Sequence, residues 1–261
     1  LPGGSGLFSC LYAPLKGSRN RIALTSAIHD ELDDWRLLLD SLASRPTHIH
    51  EVIPAFPTWT GAHDASGRGM GGVFAGPAGR PYLWRHPWTH NEASRLVTHQ
   101  NPHGDLSIND FELAGHVAHI WLALPKMAPL ASILSGCDNS TAIWWLRKGS
   151  TSTSKAAGSL LRLRSWLLRQ HQVTAPITFL AGKRNHLADA ASRRWDLSDS
   201  QLCALFNRRF PQATSWTMLH LTSEQQHGLS TAFARTKLPL ESIRSEPPPI
   251  APTGDSGASS A

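Results

Sequence analysis

The sequence predicts an α/β fold in which a mixed five-stranded sheet is flanked by helices. Three short strand-like runs separated by Gly-rich turns lie between residues 60 and 87, and a long helix with regular apolar spacing follows at 107–124. Strand and helix patterns then alternate, at 131–137, 138–149, 154–172, 173–181 and 185–195. The resulting order, βββ, α, β, αα, β, α, is typical of a sheet with helices packed against it.

Length and composition narrow the class of protein. A chain of 261 residues that is 41% hydrophobic can bury a sizeable core, which argues against wholesale disorder. No apolar run approaches the roughly 18 residues that span a bilayer, so we expect no membrane partner and an intracellular location, cytoplasmic or nuclear. Three cysteines without CxxC spacing favour a reducing compartment. The formal charge of +6 is compatible with an anionic partner.

The regions on either side of the predicted sheet differ in character. An amphipathic helix at 25–46 can be capped by Thr25 and ended by Pro46. Ser198 and Gln201 form a capping box for a later helix that runs to about residue 209, and another helix is predicted at 223–235. The predicted organisation is an upstream remnant that begins with Leu rather than Met (1–24), a helix and linker (25–56), a core domain (57–195), a helical extension (196–245) and a disordered tail (246–261).

Four acidic residues recur at informative places in this order of elements. They are Asp64 in the first strand, Glu112 in the long helix, Asp138 at the end of the fourth strand and Asp189 in the last helix. Each lies among apolar or small residues, where a buried carboxylate needs a compensating cation. Any one of them could be a cap, a turn residue or a surface charge. Together they indicate a site for divalent cations, which such clusters hold in pairs during phosphodiester displacement.

The segments around these carboxylates resemble the four acidic motifs of the RNase H domain carried by retroelement polyproteins. They read DASGRGMGGVF, INDFELA, CDNSTAIWWLRKGS and NHLADAASR, and the similarity is strongest to elements of the DIRS and related tyrosine-recombinase type. It covers residues 57–195, and the helix at 25–46 resembles the segment that links polymerase to RNase H.

The resemblance implies an RNase H-like fold and a function. Asp64, Glu112, Asp138 and Asp189 would coordinate two Mg²⁺ ions, with Mn²⁺ as an alternative, as the catalytic residues of an endonuclease. The substrate would be the RNA strand of an RNA/DNA hybrid. A reverse transcriptase polymerase domain upstream would be the protein partner.

Two features depart from that family's pattern. Many RNase H enzymes carry a His in the loop before the last helix, whereas here the loop reads LAGKRN. His186 lies three residues before Asp189 and is predicted to start the helix rather than to act in catalysis. No polymerase motif is present, so the chain is not a complete reverse transcriptase.

A basic stretch begins after Asp138 and includes Asp189. Between residues 147 and 194 there are ten Lys or Arg residues and one acidic residue, Asp189. Such a block favours phosphate contacts that are independent of sequence. For Arg162, Arg164 and Arg169 a solvated helix face is an equal alternative. The residues predicted to bind nucleic acid are Arg147, Lys148, Ser150, Lys183, Arg184 and Arg193.

The tryptophans on predicted helices are assigned to the core, and the histidines to the core or the surface. Trp144 and Trp145 lie on a predicted helix, where packing is the default role of tryptophan. His116 and His119 share a helix face, but without a third ligand at metal spacing they are predicted to be core or surface histidines rather than zinc ligands.

Two alternatives to a hybrid-cleaving nuclease stay open. The chain could be a catalytically silent fragment that keeps the fold and binds nucleic acid or its polymerase partner. It could also be an integrase or resolvase nuclease of the same broad superfamily, because a shared fold does not establish a shared function.

Overall fold

The computed structural model describes residues 24–234. The helices are Ser26–Ser44 (α1), Ile49–Val52 (α2), His90–Ala93 (α3), Ile108–Ala123 (α4), Ser140–Lys148 (α5), Lys155–His171 (α6), His186–Arg193 (α7), Asp199–Arg209 (α8) and Ser223–Phe233 (α9). The strands are Trp59–Ala65 (β1), Gly69–Ala75 (β2), Pro81–Pro87 (β3), Ile133–Cys137 (β4), Ile177–Phe179 (β5) and Thr217–Leu219 (β6). The predicted upstream remnant, apart from Leu24, the end of the predicted helical extension (235–245) and the predicted disordered tail lie outside the described residues.

The strands form one mixed sheet in the order β5-β4-β1-β2-β3-β6. Strands β1, β2 and β3 are an antiparallel meander, β4 and β5 continue the sheet parallel to β1, and β6 is parallel to β3. The predicted α/β class with a mixed sheet and flanking helices is confirmed.

The predicted number of strands is wrong, because the described part of the chain has six rather than five. The additional strand, β6, lies in the segment that was predicted to be a purely helical extension. A strand of three residues is too short to show the period-two alternation that identifies strands in a sequence. Its pairing with β3, where Tyr82 lies opposite Thr217, is a long-range contact that local pattern does not encode.

The predicted helix starts form as expected. Thr25 accepts a hydrogen bond from the backbone N–H of Ile28 at the start of α1. Ser107 and Asp110 form a reciprocal capping box at the start of α4, and α8 begins with the predicted box of Ser198 and Gln201. These caps satisfy N–H groups that have no partner within the helix, so they set where each helix begins.

Residues 196–234 pack onto the core domain, a point that the sequence left open. Helix α4 is buried along nearly its whole length because β1 and β2 cover it on one side, and α6 and α9 on the other. Phe233 of α9 packs edge-on against Trp88 and Phe111, with ring centroids 5.7 and 5.5 Å away. The segment up to residue 234 therefore contributes both a strand and a core-filling helix.

Helix α1 docks on α6 largely through arginines. Arg162 forms an ion pair with Asp34, and Arg169 pairs with Glu51 at 2.9 Å and donates to the carbonyl of Ser41 at 3.0 Å. The solvated helix face considered for these arginines is therefore wrong, because their charges serve contacts within the chain.

Two further predictions need correction. The side chain of Trp144 is 64% exposed, whereas Trp145 is buried as predicted. The strand predicted at 173–181 is limited to Ile177–Phe179, since Pro176 just before it has no N–H to donate to a ladder. Within residues 24–234, no helix combines the length and apolar character needed to cross a membrane.

Candidate metal centre

The parallel pairing of β1 and β4 places two carboxylates side by side. Ala62 lies opposite Gly136, so Asp64 and Asp138 lie two residues beyond the same paired position on neighbouring strands. Side chains two residues apart share one face of a sheet, and parallel strands end at the same edge. The topology therefore brings these residues together although 74 positions separate their numbers in the chain.

Helix α4 adds a third carboxylate to this edge. Ligand oxygens of Asp64, Glu112 and Asp138 all lie within 4.8 Å of one another. Asp64 and Glu112 are almost fully buried, at 2% and 4% exposure, whereas Asp138 is half-buried. The three side chains form a group that could hold a metal ion, with Asp138 as the member most accessible to solvent.

Burial and mutual repulsion change the proton affinity of this carboxylate cluster. Burial, followed by the negative charges of Asp64 and Asp138, raises the pKa of Glu112 to about 9. Burial also raises the pKa of Asp64 to about 6, although a hydrogen bond from Ser192 and the charge of Arg193 oppose the shift. Close carboxyls that resist ionisation are typical of a site where a cation replaces protons.

The raised pKa of Glu112 predicts how the stability of the folded chain depends on pH. Without metal, Glu112 binds its proton more tightly in the folded chain than in the unfolded chain, where its pKa is near 4.5. The stabilising contribution is therefore complete below about pH 4.5 and is lost as the pH rises towards about 9. We expect the metal-free melting temperature to fall over this range, and added Mg²⁺ to raise it more at about pH 8.5 than at about pH 6.

Thermal unfolding with EDTA or with Mg²⁺ measures this effect, and Glu112→Gln is the matched variant. The variant should lose most of the pH slope of the metal-free protein and most of the stabilisation by Mg²⁺. Equal slopes in the two proteins would contradict the assignment of the raised pKa to Glu112.

The fourth predicted ligand, Asp189, is near the cluster but outside the group of three. Its half-exposed carboxylate accepts a hydrogen bond from Nε of Arg193, one helical turn further along α7. The same guanidinium lies 3.8 Å from Asp64 Oδ2. Asp189 still acts on the cluster, because its charge contributes to the raised pKa of Asp64.

Buried polar residues anchor α7 to the carboxylate-bearing strand, and sequence reasoning did not single them out. Ser192 donates to the carboxylate of Asp64, and the carbonyl of Ser192 accepts a bond of 2.9 Å from Ser66 Oγ. Asn185 Nδ2 donates to the backbone carbonyl of His63 at 3.1 Å. The run of small residues in NHLADAASR could have indicated that α7 packs closely on the sheet, since small side chains permit close helix packing.

The loop before α7 lies against the cluster. A Cβ atom at Gly182 would lie 3.0 Å from Asp138 Oδ2, so the backbone passes directly beside that carboxylate. Lys183 and Arg184 follow on the surface. His186 begins α7 as predicted, and its ring packs against Phe210 with centroids 5.3 Å apart.

The other residues predicted to bind nucleic acid differ in position and exposure. Arg147 and Lys148 are exposed in the last turn of α5, the helix that begins beside Asp138, and Ser150 is half-buried just beyond it. Arg193 faces the carboxylates, as described above. A phosphate contact by any of these residues stays a prediction.

A second group of possible ligands lies behind the first. His63 directly precedes Asp64, and Cys137 directly precedes Asp138. Because side chains alternate along a strand, His63 and Cys137 are on the opposite face of the sheet from the two aspartates. Ligand atoms of His63, Glu112 and Cys137 lie within 4.8 Å of one another, and all three side chains are buried. Sequence reasoning missed this group, because a His and a Cys 74 residues apart carry no spacing signal.

No protein-family model matches this sequence, and no curated protein matches it either. The chemistry of the site is therefore interpreted from its own residues.

Proposed function

We propose that the chain is an RNase H-type endonuclease that hydrolyses the RNA strand of RNA/DNA hybrids, as part of a retroelement reverse transcriptase polyprotein. The observation that carries the proposal is the buried cluster of Asp64, Glu112 and Asp138 at one end of parallel strands β1 and β4. Its donors are carboxylate oxygens alone, which are the ligands that Mg²⁺ prefers. The order β5-β4-β1-β2-β3 is compatible with an RNase H-like sheet.

The residues present fit a pair of Mg²⁺ or Mn²⁺ ions. Asp64, Glu112 and Asp138 would hold them, and Asp189 would join after exchanging its contact with Arg193. Bound divalent ions supply an activated water and neutralise charge on the phosphodiester. The chain's own part is to orient the ligands: Ser192 holds the Asp64 carboxylate, and Asn185 ties α7 to β1.

Surface charge around the cluster suits a nucleic-acid duplex. Exposed cations lie on the two elements next to Asp138: Lys183 and Arg184 on the loop beside it, and Arg147 and Lys148 in the last turn of α5, the helix that begins two residues after it. Contacts of this kind reach phosphates and do not read sequence. Preference for a hybrid would come from duplex shape and 2′-hydroxyl contacts in the wide minor groove.

The test is a substrate panel with the purified chain and either Mg²⁺ or Mn²⁺. A hybrid labelled on each strand, duplex DNA, duplex RNA and single-stranded RNA are compared, with EDTA as the blank. We expect cleavage of the RNA strand of the hybrid alone. Cleavage of duplex DNA would favour an integrase-type or resolvase-type nuclease, and hybrid binding without cleavage would favour a silent binding module.

Replacing both Arg147 and Lys148 by Ala should weaken hybrid binding and flatten its salt dependence. Each lost phosphate contact removes about 1 from the slope of log affinity against log salt concentration, so the double variant should lose about 2. Fluorescence anisotropy at several salt concentrations measures the slope.

A matched double variant controls for net charge. Arg80 lies in the turn between β2 and β3, at the end of the sheet opposite Asp64, and Lys126 packs over Tyr82 at that same end. Replacing both by Ala removes the same charge, and the slope should change by less than about 0.5. Equal effects of the two double variants would remove α5 from the interface.

A further inference from the structure

Three fully buried histidines lie behind the carboxylate cluster, and the proposed chemistry uses none of them directly. His63 is on β1, and His116 and His119 are on the face of α4 that packs against it. Burial lowers the pKa of His63 to about 3 and lowers the pKa values of the other two well below their usual range. The hydrogen bonds require an acceptor nitrogen on each of the three rings, so each ring is neutral and carries one proton on its other nitrogen.

A chain of hydrogen bonds decides which nitrogen carries that proton. Arg164, a half-buried residue of α6, donates from Nε to His116 Nε2 at 3.0 Å. An arginine is only a donor, so His116 Nε2 must be an acceptor and the proton of that ring lies on Nδ1. His116 Nδ1 is 3.1 Å from His63 Nε2, which then accepts in turn. The proton of His63 consequently lies on Nδ1.

The resulting N–H group of His63 is buried and has no hydrogen-bond partner among the described residues. A ring nitrogen of His63 lies within 4.8 Å of a Glu112 carboxylate oxygen and of Cys137 Sγ. Because Nε2 is engaged with His116, Nδ1 is the nitrogen left to serve Glu112. An unsatisfied buried donor is unfavourable, so a carboxylate that comes within reach gains a hydrogen bond.

We propose that Arg164, His116 and His63 form a buried relay that fixes the Nδ1–H tautomer of His63 as a hydrogen-bond donor for the Glu112 carboxylate. His63 is thus a positioning residue that acts through Glu112. The inference rests on the proposed function in one respect, namely that Glu112 is a metal ligand. The His63 N–H would hold the Glu112 carboxylate in the orientation that a metal ligand needs. Outer-shell donors of this kind are a regular part of metal sites.

The relay also argues against a zinc site formed by His63, Glu112 and Cys137. A metal on His63 Nδ1 would shift the ring proton to Nε2, which must then donate to His116 Nδ1. His116 would in turn carry its proton on Nε2, facing the N–H of Arg164. Two donors would then oppose each other in a buried position, which is costly.

The first test needs no substitution. Long-range ¹H–¹⁵N correlation spectra of the full chain labelled at histidine distinguish the two neutral tautomers of each ring. We expect His63 and His116 to be protonated at Nδ1. His119 is an internal reference with the opposite tautomer, because its Nδ1 accepts a bond of 3.2 Å from Trp84 Nε1. A His63 ring protonated at Nε2 would overturn the proposal.

The second test measures Mn²⁺ affinity by electron paramagnetic resonance, independently of cleavage. His63→Leu removes the donor and should weaken binding by about 10-fold to 100-fold, the range found for outer-shell partners of metal ligands. His63→Asn keeps an N–H near the Nδ1 position and should restore most of the affinity. Unchanged affinity in the folded His63→Leu protein would overturn the proposal.

A pair of arginine variants examines the far end of the relay. Arg164→Met should release the tautomer of His116 and weaken Mn²⁺ binding, while Arg162→Met on the same helix breaks the ion pair with Asp34 and leaves the histidine hydrogen bonds in place. If Arg164→Met does not fold, the wild-type spectra and the two His63 variants still decide the matter. Mn²⁺ binding that follows these expectations in a chain that cleaves no hybrid would leave the relay intact and refute the nuclease.

Cobalt tests the competing zinc site. Co²⁺ bound to a thiolate gives a charge-transfer absorption band. A band that Cys137→Ser removes and Cys203→Ser preserves would establish a metal site at His63, Glu112 and Cys137, and would overturn the relay. No such band is expected, since the hydrogen bonds from Arg164 to His116 and from His116 to His63 leave the proton of His63 on Nδ1, which therefore has no lone pair for a metal.

Discussion

Replacing Asp138 by Asn is expected to abolish metal-dependent cleavage of an RNA/DNA hybrid while leaving the fold intact. The substitution keeps the size of the side chain but removes the most accessible charge of the carboxylate cluster. Metal ions contribute several kcal/mol to stabilising the transition state, so losing them lowers the rate by about 10³-fold or more. Single-turnover cleavage at saturating enzyme measures the effect.

The same substitution should make the metal-free protein slightly more stable, because Asp138 raises the pKa values of both Asp64 and Glu112 by repulsion. A lower cleavage rate together with a higher metal-free stability identifies a metal ligand, because loss of a structural carboxylate would lower both. Asp196→Asn is the control, since that exposed residue pairs with Arg194 and has no place in the carboxylate cluster. Cleavage by Asp138→Asn within about threefold of wild type, a barrier change under about 1 kcal/mol, would refute the site.

Substituting Gly71 by Ala should have the largest effect on folding. A Cβ atom at this position in β2 would lie 2.6 Å from the carbonyl carbon of Ala191 and 2.8 Å from the amide nitrogen of Ser192. These are backbone atoms of α7, so the helix itself would have to move. Overpacking typically costs 1–3 kcal/mol, and we expect a loss of about 3 kcal/mol here.

Displacing α7 should also impair the metal site, because the helix carries Asp189 and the hydroxyl that binds Asp64. Urea unfolding and Mn²⁺ affinity are the measurements. Gly158→Ala is the matched control: the position is within α6 with open space around it, so the substitution should stabilise the protein by about 1 kcal/mol. A Gly71→Ala protein as stable as wild type would show that α7 does not pack this closely on β2.

The positions of the acidic residues within their elements were predictable because each lies in a strong local pattern. Asp64 is in the first strand, Glu112 follows a capping box, and Asp138 comes directly after a buried strand. The residues that hold these carboxylates were not predictable. Ser192 and Asn185 become buried partners of β1 only through the docking of α7, over more than 120 positions of sequence.

The basic stretch at 147–194 was also only partly predictable from the sequence. Its composition predicted an anionic partner, yet composition does not say which cations are free to reach one. Arg162 and Arg169 pair with acidic residues of the N-terminal helices, and Arg164 donates a hydrogen bond to His116. Strand β6 was missed for a related reason: only its pairing with β3 identifies it as a strand, and that pairing forms between segments far apart in sequence.

The sequence by itself determined the α/β class, the helix caps and the positions of the four acidic residues. Hydrophobic periodicity, capping residues and apolar neighbours are all patterns within a few consecutive residues of the chain. The tertiary structure alone decided which three carboxylates meet, which arginines pair within the chain and which histidines are buried behind the site. Strand pairing, burial and ionisation depend on groups far apart in sequence, and those groups interact only after the chain has folded.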